Sequence, residues 1–478
     1  MKIRVNNEAQ EISGPASVSG LLVTNKVEMP EMVSVQLNGS FVKKEAFATT
    51  MVKEGDEIEF LYFMGGGQEG FTTRAIHSKP VKEDAHRSLH FPVYESVSFD
   101  FAAAEDLEKA FSGQSPRHMY SRITNPTVEN FEQKIRAVTG AHGVVAVSSG
   151  MAAISNLVMA IAGSGDNIIT TKFLFGNTYS LFEQTLKPWG LEIQYARLTD
   201  VQSVKKLVNS RTRAIYLETI TNPQLEVADI RELARVANDA KILLVADTTV
   251  TPPYLFNSKE FGVDIEVLSS TKLISGGATS VGGLIIDNGT YDWGNNPKLA
   301  ANAGKYGPFA LLTRLKREVY RNFGACLSPQ NAYMQSLGME TLALRADKSC
   351  ANTLEIAGYL ESQKKVKSVN YPGLESSSHH QTAKKQFGVR PGALLTFDLA
   401  SREDCFKFMN RLAIVRRATN INDNKTLVLH PASTIFCEYS PETKKEMGVR
   451  ETLIRLSVGI EDVADLLADI GQALEAIQ

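Results

Sequence analysis

Short alternating hydrophobic runs mark the first part of the chain. They predict strands at Lys2–Val5, Val33–Leu37 and Glu57–Phe63. Between the first two lies Ser17–Lys26, where a serine precedes an apolar stretch, and this predicts a short helix. Residues 1–67 are therefore expected to form a small half-open sheet covered by one helix.

From about residue 144, continuous apolar runs alternate with helical stretches. Runs of Val, Ile and Leu separated by amphipathic helices predict a parallel or mostly parallel sheet that is covered on both faces. The seven runs are 144–149, 167–170, 191–196, 214–218, 242–247, 265–270 and 281–286. Ligands of such sheets bind at the carboxyl ends of the strands, so polar residues that follow these runs are candidates for a site.

The pattern changes again after about residue 330. A long helical stretch at Asn331–Gln363, strand-like runs at Val366–Val369 and Ala393–Leu399, and an amphipathic helix near Asp462–Ile477 predict a smaller α+β domain. The expected divisions are a small domain at 1–67, a polar connecting arm at 68–90, a large domain at 91–330 and a C-terminal domain at 331–478.

Composition narrows the class of protein. The 478 residues are 43% hydrophobic and 22% charged, which is ordinary for a soluble globular protein. A net charge of −2 provides no field that would attract nucleic acid or an anionic membrane. No apolar run approaches the length of a membrane span, and the charged, alternating N-terminus does not resemble a secretory signal.

The cysteines are widely separated and include no CxxC pair, which argues against a zinc site and against a disulfide framework. They are Cys326, Cys350, Cys405 and Cys437. A reducing, cytoplasmic compartment is therefore expected. No metal, nucleic acid or membrane partner is predicted.

Lys272 is the first candidate for chemistry. It follows the run at 265–270 and lies in an apolar, glycine-rich stretch that ends at Gly283. Burial and neighbouring charges can lower the pKa of a lysine amine enough for it to spend time in the neutral, nucleophilic form. The residue is either an ordinary loop lysine or a lysine that forms a Schiff base.

Two other strand ends carry suitable partners. Asp247 ends the run at 242–247, and Ser149 to Met151 form a small-residue turn between the run at 144–149 and an apolar helix. Taken singly, the aspartate is explained equally well as a helix cap and the turn as a plain connection. Such a turn presents backbone N–H groups to an anion. With Lys272, these strand ends supply the phosphate cradle, pyridinium partner and Schiff-base lysine that pyridoxal phosphate requires.

Several motifs make this interpretation specific. They are YSRITNPT (120–127), SSGMAA (148–153), ETITNP (218–223), ADTT (246–249), SSTKLISGG (269–277), RNFGACLSPQNA (321–332), TLVLHPAS (426–433) and IRLSVGIED (454–462). Over nearly all of residues 71–478 the chain resembles the Cys/Met-metabolism family of pyridoxal phosphate enzymes, and within it the O-acetylhomoserine sulfhydrylases. The resemblance implies fold type I: a large α/β domain with a mostly parallel seven-stranded sheet, and a smaller α+β domain.

The resemblance also implies roles at the cofactor. Lys272 would form the Schiff base and shuttle protons, and Asp247 would pair with the pyridine nitrogen. The other implied contacts are Gly150 and Met151 N–H groups and Ser269 and Thr271 hydroxyls at the phosphate, Asn222 at the phenolic oxygen, and Phe175 stacked on the ring. Relatives have a tyrosine at the position of Phe175. The phenylalanine can still stack on the cofactor ring, but it lacks the tyrosine hydroxyl. Tyr179, one helical turn away, is a candidate to replace it.

Substrate and subunit contacts follow from the same resemblance. Arg455 would bind the substrate α-carboxylate as a bidentate fork. Asn420 stands where the lyase branch tends to have serine, which is more similar to the sulfhydrylases. Tyr120 and Arg122 would reach the phosphate of a neighbouring subunit. A homo-oligomer is therefore implied, at least a dimer and by expectation a tetramer.

The implied reaction is γ-replacement in methionine biosynthesis. O-acetylhomoserine and sulfide would give homocysteine and acetate. Two alternatives stay open: a cystathionine γ-synthase, which uses cysteine as the nucleophile, and a methionine γ-lyase-type enzyme, in which water ends the path. Asn177 stands where the lyase branch often has cysteine, and this favours the sulfhydrylase interpretation.

The N-terminal domain has a resemblance of its own. VQLNGSFV and KEGDEIEFLYFMGGG are similar to the ubiquitin-like sulfur carriers of thiamine and molybdopterin biosynthesis, which have a β-grasp fold. In that family an adenylating enzyme activates the terminal Gly-Gly carboxylate, which becomes a thiocarboxylate. Because this chain continues, such chemistry at Gly66 and Gly67 requires cleavage after one of them. The alternatives are a domain kept only for docking, and three glycines that serve as a flexible linker.

Overall fold

The structure is a computed structural model. It describes residues 1–6, 8–12, 14–25, 27, 33–38, 40–42, 44–62 and 69–477. The chain forms two compact units, Met1–Gly70 and Phe71–Gln478. Among the described residues, no helix has the length and hydropathy that crossing a membrane requires.

The described part of the first unit contains a five-stranded sheet and one α-helix. Its elements are β1 (Lys2–Val5), β2 (Glu8–Glu11), α1 (Val18–Thr24), β3 (Val33–Leu37), β4 (Ser40–Val42) and β5 (Glu57–Tyr62). The strand order is β2-β1-β5-β3-β4, in which β1 and β5 are parallel and the other neighbours antiparallel. Ser17 caps α1 by accepting a hydrogen bond from Gly20 N, and Leu21 packs against Ile58 in the core. This is the predicted β-grasp fold; Gly66 and Gly67 lie outside the described residues.

The second unit alternates helices and strands. Its strands are β6 (Gly143–Val147), β7 (Asn167–Thr170), β8 (Glu192–Tyr195), β9 (Thr212–Glu218), β10 (Leu243–Asp247), β11 (Ile265–Leu268), β12 (Gly283–Asp287), β13 (Ser368–Asn370), β14 (Leu394–Asp398), β15 (Arg416–Arg417), β16 (Leu427–Leu429) and β17 (Leu453–Ser457). Its helices are α2 (Phe71–His77), α3 (Ala104–Ser112), α4 (Pro126–Thr139), α5 (Gly150–Ile161), α6 (Gly176–Ser180), α7 (Val201–Leu207), α8 (Ile230–Asp239), α9 (Ala300–Tyr306), α10 (Ala310–Arg314), α11 (Tyr320–Phe323), α12 (Pro329–Glu340), α13 (Leu342–Glu361), α14 (His380–Phe387), α15 (Arg402–Arg411), α16 (Pro441–Glu446) and α17 (Val463–Glu475).

The large sheet has the order β6-β12-β11-β10-β9-β7-β8. Its strands correspond to the seven predicted runs, and β12 alone runs against the others. Both faces are buried: Val245 packs into the core on one side of β10, and its neighbour Leu244 packs into the core on the other. The carboxyl ends of β6, β10 and β11 therefore share one edge of the sheet.

The C-terminal sheet has the order β13-β14-β17-β16-β15 and is antiparallel except for β15 with β16. Helices α13 and α17 pack on it through residues such as Ile356 and Ile470. The helix predicted at Asn331–Gln363 is instead two helices. Thr341, at φ −109 and ψ 7, leaves the helical conformation, and its N–H bonds to Met339 O, which ends α12.

A helix also lies within the predicted arm at 68–90. Helix α2 has an alanine, Ala75, that is completely buried against Phe131 and Val128 of α4. This part of the arm is therefore packed on the large sheet's helical layer. The predicted domain limits at residues 90 and 330 stay predictions.

Candidate active site

A cavity of about 280 Å³ lies at the shared carboxyl edge of the large sheet. Ten residues predicted from the sequence line it: Gly150, Met151, Phe175, Asn222, Asp247, Ser269, Thr271, Lys272, Asn420 and Arg455. The strand-end rule explains the first eight. Asn420 and Arg455 come from the C-terminal sheet and its loops, so the cavity lies between the two sheets of the second unit.

Lys272 lies in the turn after β11. Its N–H donates to Ser269 O at 3.3 Å and its carbonyl accepts from Gly276 N at 2.9 Å, which fixes the backbone. Its Nζ donates to Asn420 Oδ1 at 2.6 Å. Burial, and then the charge of Arg455, lower the pKa of the Lys272 amine to about 8, although the charge of Asp423 opposes both. The amine is therefore available as a base near neutral pH.

Asp247 is the last residue of β10. Its Oδ1 accepts from Thr249 N at 2.9 Å and its Oδ2 accepts from the Tyr216 hydroxyl at 3.3 Å. Burial raises the pKa of this carboxyl, and the hydrogen bonds from Thr249 and Tyr216 oppose that shift. Within the described residues, no Lys, Arg or His forms an ion pair with it. A buried carboxylate that lacks a cation fits a protonated ring nitrogen as its partner.

Helix α5 begins beside Asp247 and Lys272. Ser149 caps it by accepting from Ala152 N at 3.0 Å, and the first N–H groups of such a helix have no intrahelical acceptor. Gly150 is required here because a Cβ would lie 2.7 Å from Ser269 Cβ. The close approach leaves a helix N-terminus open toward the cavity, which fits a phosphate group.

Thr271 uses its hydroxyl in the protein itself. Its Oγ1 accepts from Gly282 N at 3.0 Å and donates to Gly282 O at 3.1 Å. This pair of bonds ties the lysine turn to the start of β12. The Ser269 backbone is held in the same way, since its N–H donates to Thr249 Oγ1 at 2.9 Å.

Glu218 is a cavity residue that the sequence reasoning missed. It ends β9 and is 7% exposed. Its Oε1 accepts from Phe175 N at 2.6 Å and its Oε2 accepts from Asn222 N at 3.2 Å, so one carboxylate positions two predicted cofactor contacts. Burial, and then the charge of Asp247, raise the pKa of Glu218 well above its usual range. The sequence does contain a signal for this residue, because Glu218 ends the apolar run at 214–218 just as Asp247 ends the run at 242–247.

Arg455 lies in the middle of β17 and is 3% exposed. Its Nη1 donates to Asn222 Oδ1 at 3.1 Å and its Nη2 to Asn420 O at 3.0 Å. Its Nε is buried without an acceptor, and burial lowers the pKa of the guanidinium to about 9. A buried cation with a free donor and no acid partner among the described residues fits an anionic ligand such as a carboxylate.

Three predicted groups do not line this cavity. Tyr120 is 40% exposed, and the Arg122 guanidinium lies 5.5 Å from its ring centroid. Arg122 Nη1 donates to Arg321 O at 2.6 Å. Tyr179 is also displaced from the cavity, since its ring stacks on Tyr195, with centroids 5.9 Å apart. It is Thr178 of the same helix that lines the cavity.

Comparison with known proteins agrees with this geometry. Residues 72–475 match the family of Cys/Met metabolism PLP-dependent enzymes, and residues 3–67 match the ThiS family. O-acetyl-L-homoserine sulfhydrylase 1 of Thermus thermophilus is 35% identical over 418 residues, which are 84% of this chain and 99% of the relative.

Two solved structures extend the likeness. A putative O-acetylhomoserine (thiol)-lyase from Campylobacter jejuni, which contains N'-pyridoxyl-lysine-5'-monophosphate, is 32% identical with a TM-score of 0.80, covering 85% of this chain and 100% of that one. An O-acetylhomoserine sulfhydrylase from Wolinella succinogenes, described as catalysing sulfur transfer by a novel mechanism in methionine biosynthesis, is 44% identical with a TM-score of 0.69 and the same coverage.

Proposed function

Because the chain belongs to the Cys/Met-metabolism family of pyridoxal phosphate-dependent enzymes, we propose that it catalyses γ-replacement at O-acetylhomoserine. The C–O bond at Cγ breaks, and acetate leaves with the electron pair. A C–S bond forms in its place and the sulfur nucleophile loses a proton, so that the products are homocysteine and acetate. The named relatives that carry this activity support the proposal.

One observation carries the proposal: Arg455 has a buried Nε without an acceptor in the same cavity as Lys272. An amino-acid substrate brings a carboxylate that can accept from this guanidinium. Its Cα then lies in the cavity that holds the only lysine amine among the described cavity-lining residues. The arrangement suits a reaction that begins by removing the Cα proton.

Pyridoxal phosphate, when bound, supplies the electron sink that makes the protons on Cα and Cβ acidic. The groups that would hold it belong to residues that line the cavity. Asp247 would pair with the ring nitrogen, Phe175 would stack on the ring and Asn222 would contact its phenolic oxygen. The Gly150 and Met151 N–H groups and the Ser269 hydroxyl would bind the phosphate. The Thr271 hydroxyl would join them by exchanging its bond to Gly282 O for one to the phosphate.

Lys272 would take the Cα proton as a free amine and return a proton later in the reaction. Asn420 and Arg455 would orient the substrate so that the reacting bonds face that amine. Ile220, Val250 and Ile435 form an apolar part of the lining. We infer that this wall excludes water, which favours addition of sulfur over the hydrolytic outcome of a lyase.

The proposed assembly is a homo-oligomer, either a dimer or a tetramer. Tyr120 and Arg122 support it, because they lie outside this chain's own cavity and are accessible to a second subunit. The proposed location is the cytoplasm, in agreement with four free cysteines. The proposed process is methionine biosynthesis by direct addition of sulfide, whereas transsulfuration, in which cysteine supplies the sulfur, belongs to the cystathionine γ-synthase alternative. Light scattering of the purified chain distinguishes dimer from tetramer.

The N-terminal β-grasp domain suggests the source of the sulfur. We propose that the tail at Gly66 and Gly67 delivers sulfur as a thiocarboxylate after cleavage and activation by an adenylating enzyme. The support is that one chain encodes both a ThiS-family domain and the enzyme. Mass spectrometry of protein purified from cells tests this. A fragment that ends at one of these glycines with one oxygen replaced by sulfur is expected, and an uncleaved chain would leave a docking role.

The activity is tested by giving the holoenzyme O-acetylhomoserine with sulfide, with cysteine, or with neither. Homocysteine in the first arm is the expected result. Cystathionine in the second arm would assign the chain to the cystathionine γ-synthases. Release of 2-oxobutanoate in the third arm, without a sulfur-containing product in the first, would make it a γ-lyase.

A further inference from the structure

Asn420 connects Lys272 to a buried carboxylate. Lys272 Nζ donates to Asn420 Oδ1 at 2.6 Å, and Asn420 Nδ2 donates to Asp423 Oδ2 at 3.0 Å. Asp423 is 7% exposed. The three side chains therefore form a relay in which the aspartate does not touch the lysine.

We propose that Asp423 is a positioning residue, which holds the Asn420 amide so that its oxygen, and not its NH₂ group, faces the amine of Lys272. The proposal rests on the proposed role of Lys272 as a proton shuttle. It goes further by naming a residue that acts on the lysine through another side chain.

The chemistry of the partners determines the orientation. The two ends of an asparagine amide have nearly the same shape, but one accepts hydrogen bonds and the other donates them. An ionised aspartate only accepts, and a lysine ammonium only donates. With Asp423 present, the NH₂ group must face the aspartate and the oxygen must face Lys272. Without that carboxylate, the amide can turn round and present a donor to the lysine.

The loop that carries the relay is anchored at several points. Asn422, at φ +54, donates from its backbone N–H to Ser457 Oγ at 2.8 Å. Its side chain donates to Thr249 O at 3.1 Å, which ties the loop to the segment after β10. Asp423 Oδ1 accepts from Lys425 N at 3.1 Å. Because both sheets hold this loop in place, replacing Asp423 should leave the backbone of the loop where it is. The replacement should mainly change which end of the Asn420 amide faces Lys272.

Two charged groups face Lys272, and they act in opposite directions. Arg455 on β17 disfavours the ammonium form, and Asp423 on the loop favours it. Lys425 lies on the far side of Asp423, with its Nζ 3.7 Å from Oδ1. Loss of Asp423 therefore removes the acid that favours a protonated Lys272, and it also lets Asn420 offer a donor that only a neutral amine can accept. Both effects lower the pKa of the Lys272 amine.

This placement matters because Lys272 must keep a proton between two transfers. An amide oxygen at 2.6 Å stabilises the protonated amine during that interval. An amide NH₂ group at the same place would favour early release of the proton, to water or to the wrong carbon. The relay therefore sets how long Lys272 holds the proton that it has taken.

The test measures the free amine directly. The full chain is freed of cofactor, and the rate at which Lys272 captures added pyridoxal phosphate is followed by visible absorbance as a function of pH. The midpoint of this profile reports the pKa of the amine. Asp423→Asn keeps the size of the side chain and removes its charge, and the midpoint should fall by about one pH unit. An unchanged or raised midpoint overturns the proposal.

A double-mutant comparison separates positioning from charge alone. Asp423→Asn is measured again in an Asn420→Ala background, where no amide is left to orient. Positioning predicts a clearly smaller shift in that background. An equal shift in both backgrounds would mean that Asp423 acts only through its charge, and the proposal would fail.

Asp469→Asn is the matched control. Asp469 is a 5% exposed aspartate that accepts hydrogen bonds from the backbone N–H groups of residues 413–415. Its variant should leave the capture midpoint at the wild-type pH. If Asp423→Asn does not fold, Asp423→Ala is measured in both backgrounds in its place: a lowered midpoint that depends on Asn420 is expected, and an unchanged midpoint, or an equal shift in both backgrounds, overturns the proposal. Homocysteine formation is assayed separately, so a failed relay and a failed proposed function give different results.

Discussion

Arg455 Nη1 donates to Asn222 Oδ1 at 3.1 Å, and this bond joins the C-terminal sheet to the loop after β9 of the large sheet. The two residues are 233 positions apart in the chain. Because Asn222 is predicted at the cofactor ring and Arg455 at the substrate carboxylate, the bond couples the two binding functions. The cavity is formed only when both sheets are in place.

Replacing Arg455 by lysine should weaken substrate binding. Lysine keeps the charge but cannot donate in three directions from one planar group. Loss of a hydrogen bond to a charged group costs about 1.5–3 kcal/mol, so kcat/KM for O-acetylhomoserine should fall by about 10- to 100-fold. Steady-state kinetics measure the change. The control is Arg416→Lys, at an exposed position on β15, and an equal loss in both variants would contradict the assigned role.

Asp247→Asn should separate binding of the cofactor from its use. The phosphate cradle at α5 is unchanged, so pyridoxal phosphate should still be retained. A neutral amide cannot hold a proton on the ring nitrogen, and kcat should fall by about 100-fold or more. Cofactor absorbance and kcat are measured together. Asp264→Asn, at a half-buried acid that precedes β11 at the other edge of the sheet, should keep kcat near the wild-type value.

Glu218→Gln should loosen the cofactor. A glutamine has one acceptor oxygen, so either Phe175 N or Asn222 N loses its buried partner. An unsatisfied buried N–H costs about 1–3 kcal/mol. Lower thermal stability and faster loss of pyridoxal phosphate during dialysis are expected. Unaltered retention of the cofactor would show that Phe175 and Asn222 are positioned without this carboxylate.

Glu266→Gln should change how stability depends on pH. Glu266 is 1% exposed, accepts from Thr248 Oγ1 and Ser258 Oγ at 2.5 Å each, and burial raises its pKa from 4.5 to about 7. Since the folded pKa is the higher one, its stabilising contribution is complete below pH 4.5 and is lost as the pH rises through about 7.

The uncharged glutamine avoids that loss. Relative to the wild type, the free energy of unfolding of Glu266→Gln should therefore improve by about 3 kcal/mol between roughly pH 5 and pH 8. Urea unfolding of both proteins at the two pH values measures this difference. A difference between variant and wild type that does not depend on pH would mean that Glu266 is already ionised in the folded protein at low pH.

Much of the site could be predicted from local patterns. Lys272 and Asp247 each follow an apolar run, and the rule that parallel strands present their carboxyl ends at one edge brings them together. Glu218 obeys the same rule, but a single acid at a strand end is also an ordinary cap, and its contacts with Phe175 and Asn222 depend on how the loops fold back. Hydrophobic pattern alone carries no information on that path.

Other features depend on distant parts of the chain. The contact between Lys272 and Asn420 spans 148 positions and exists only because the loop before β16 packs against the segment after β10. The break at Thr341 was hidden because helical hydrophobic residues continue on both sides of it. Tyr179 lies one helical turn from Phe175, which makes it a candidate to supply the missing hydroxyl, but its ring stacks on Tyr195 outside the cavity lining.

The most direct test of the account compares wild-type holoenzyme with Lys272→Ala in a product assay with O-acetylhomoserine and sulfide. The wild type should form homocysteine and acetate in equal amounts, and the variant should form neither above background. Turnover by Lys272→Ala, or a wild-type enzyme that makes no homocysteine, would contradict γ-replacement at this site.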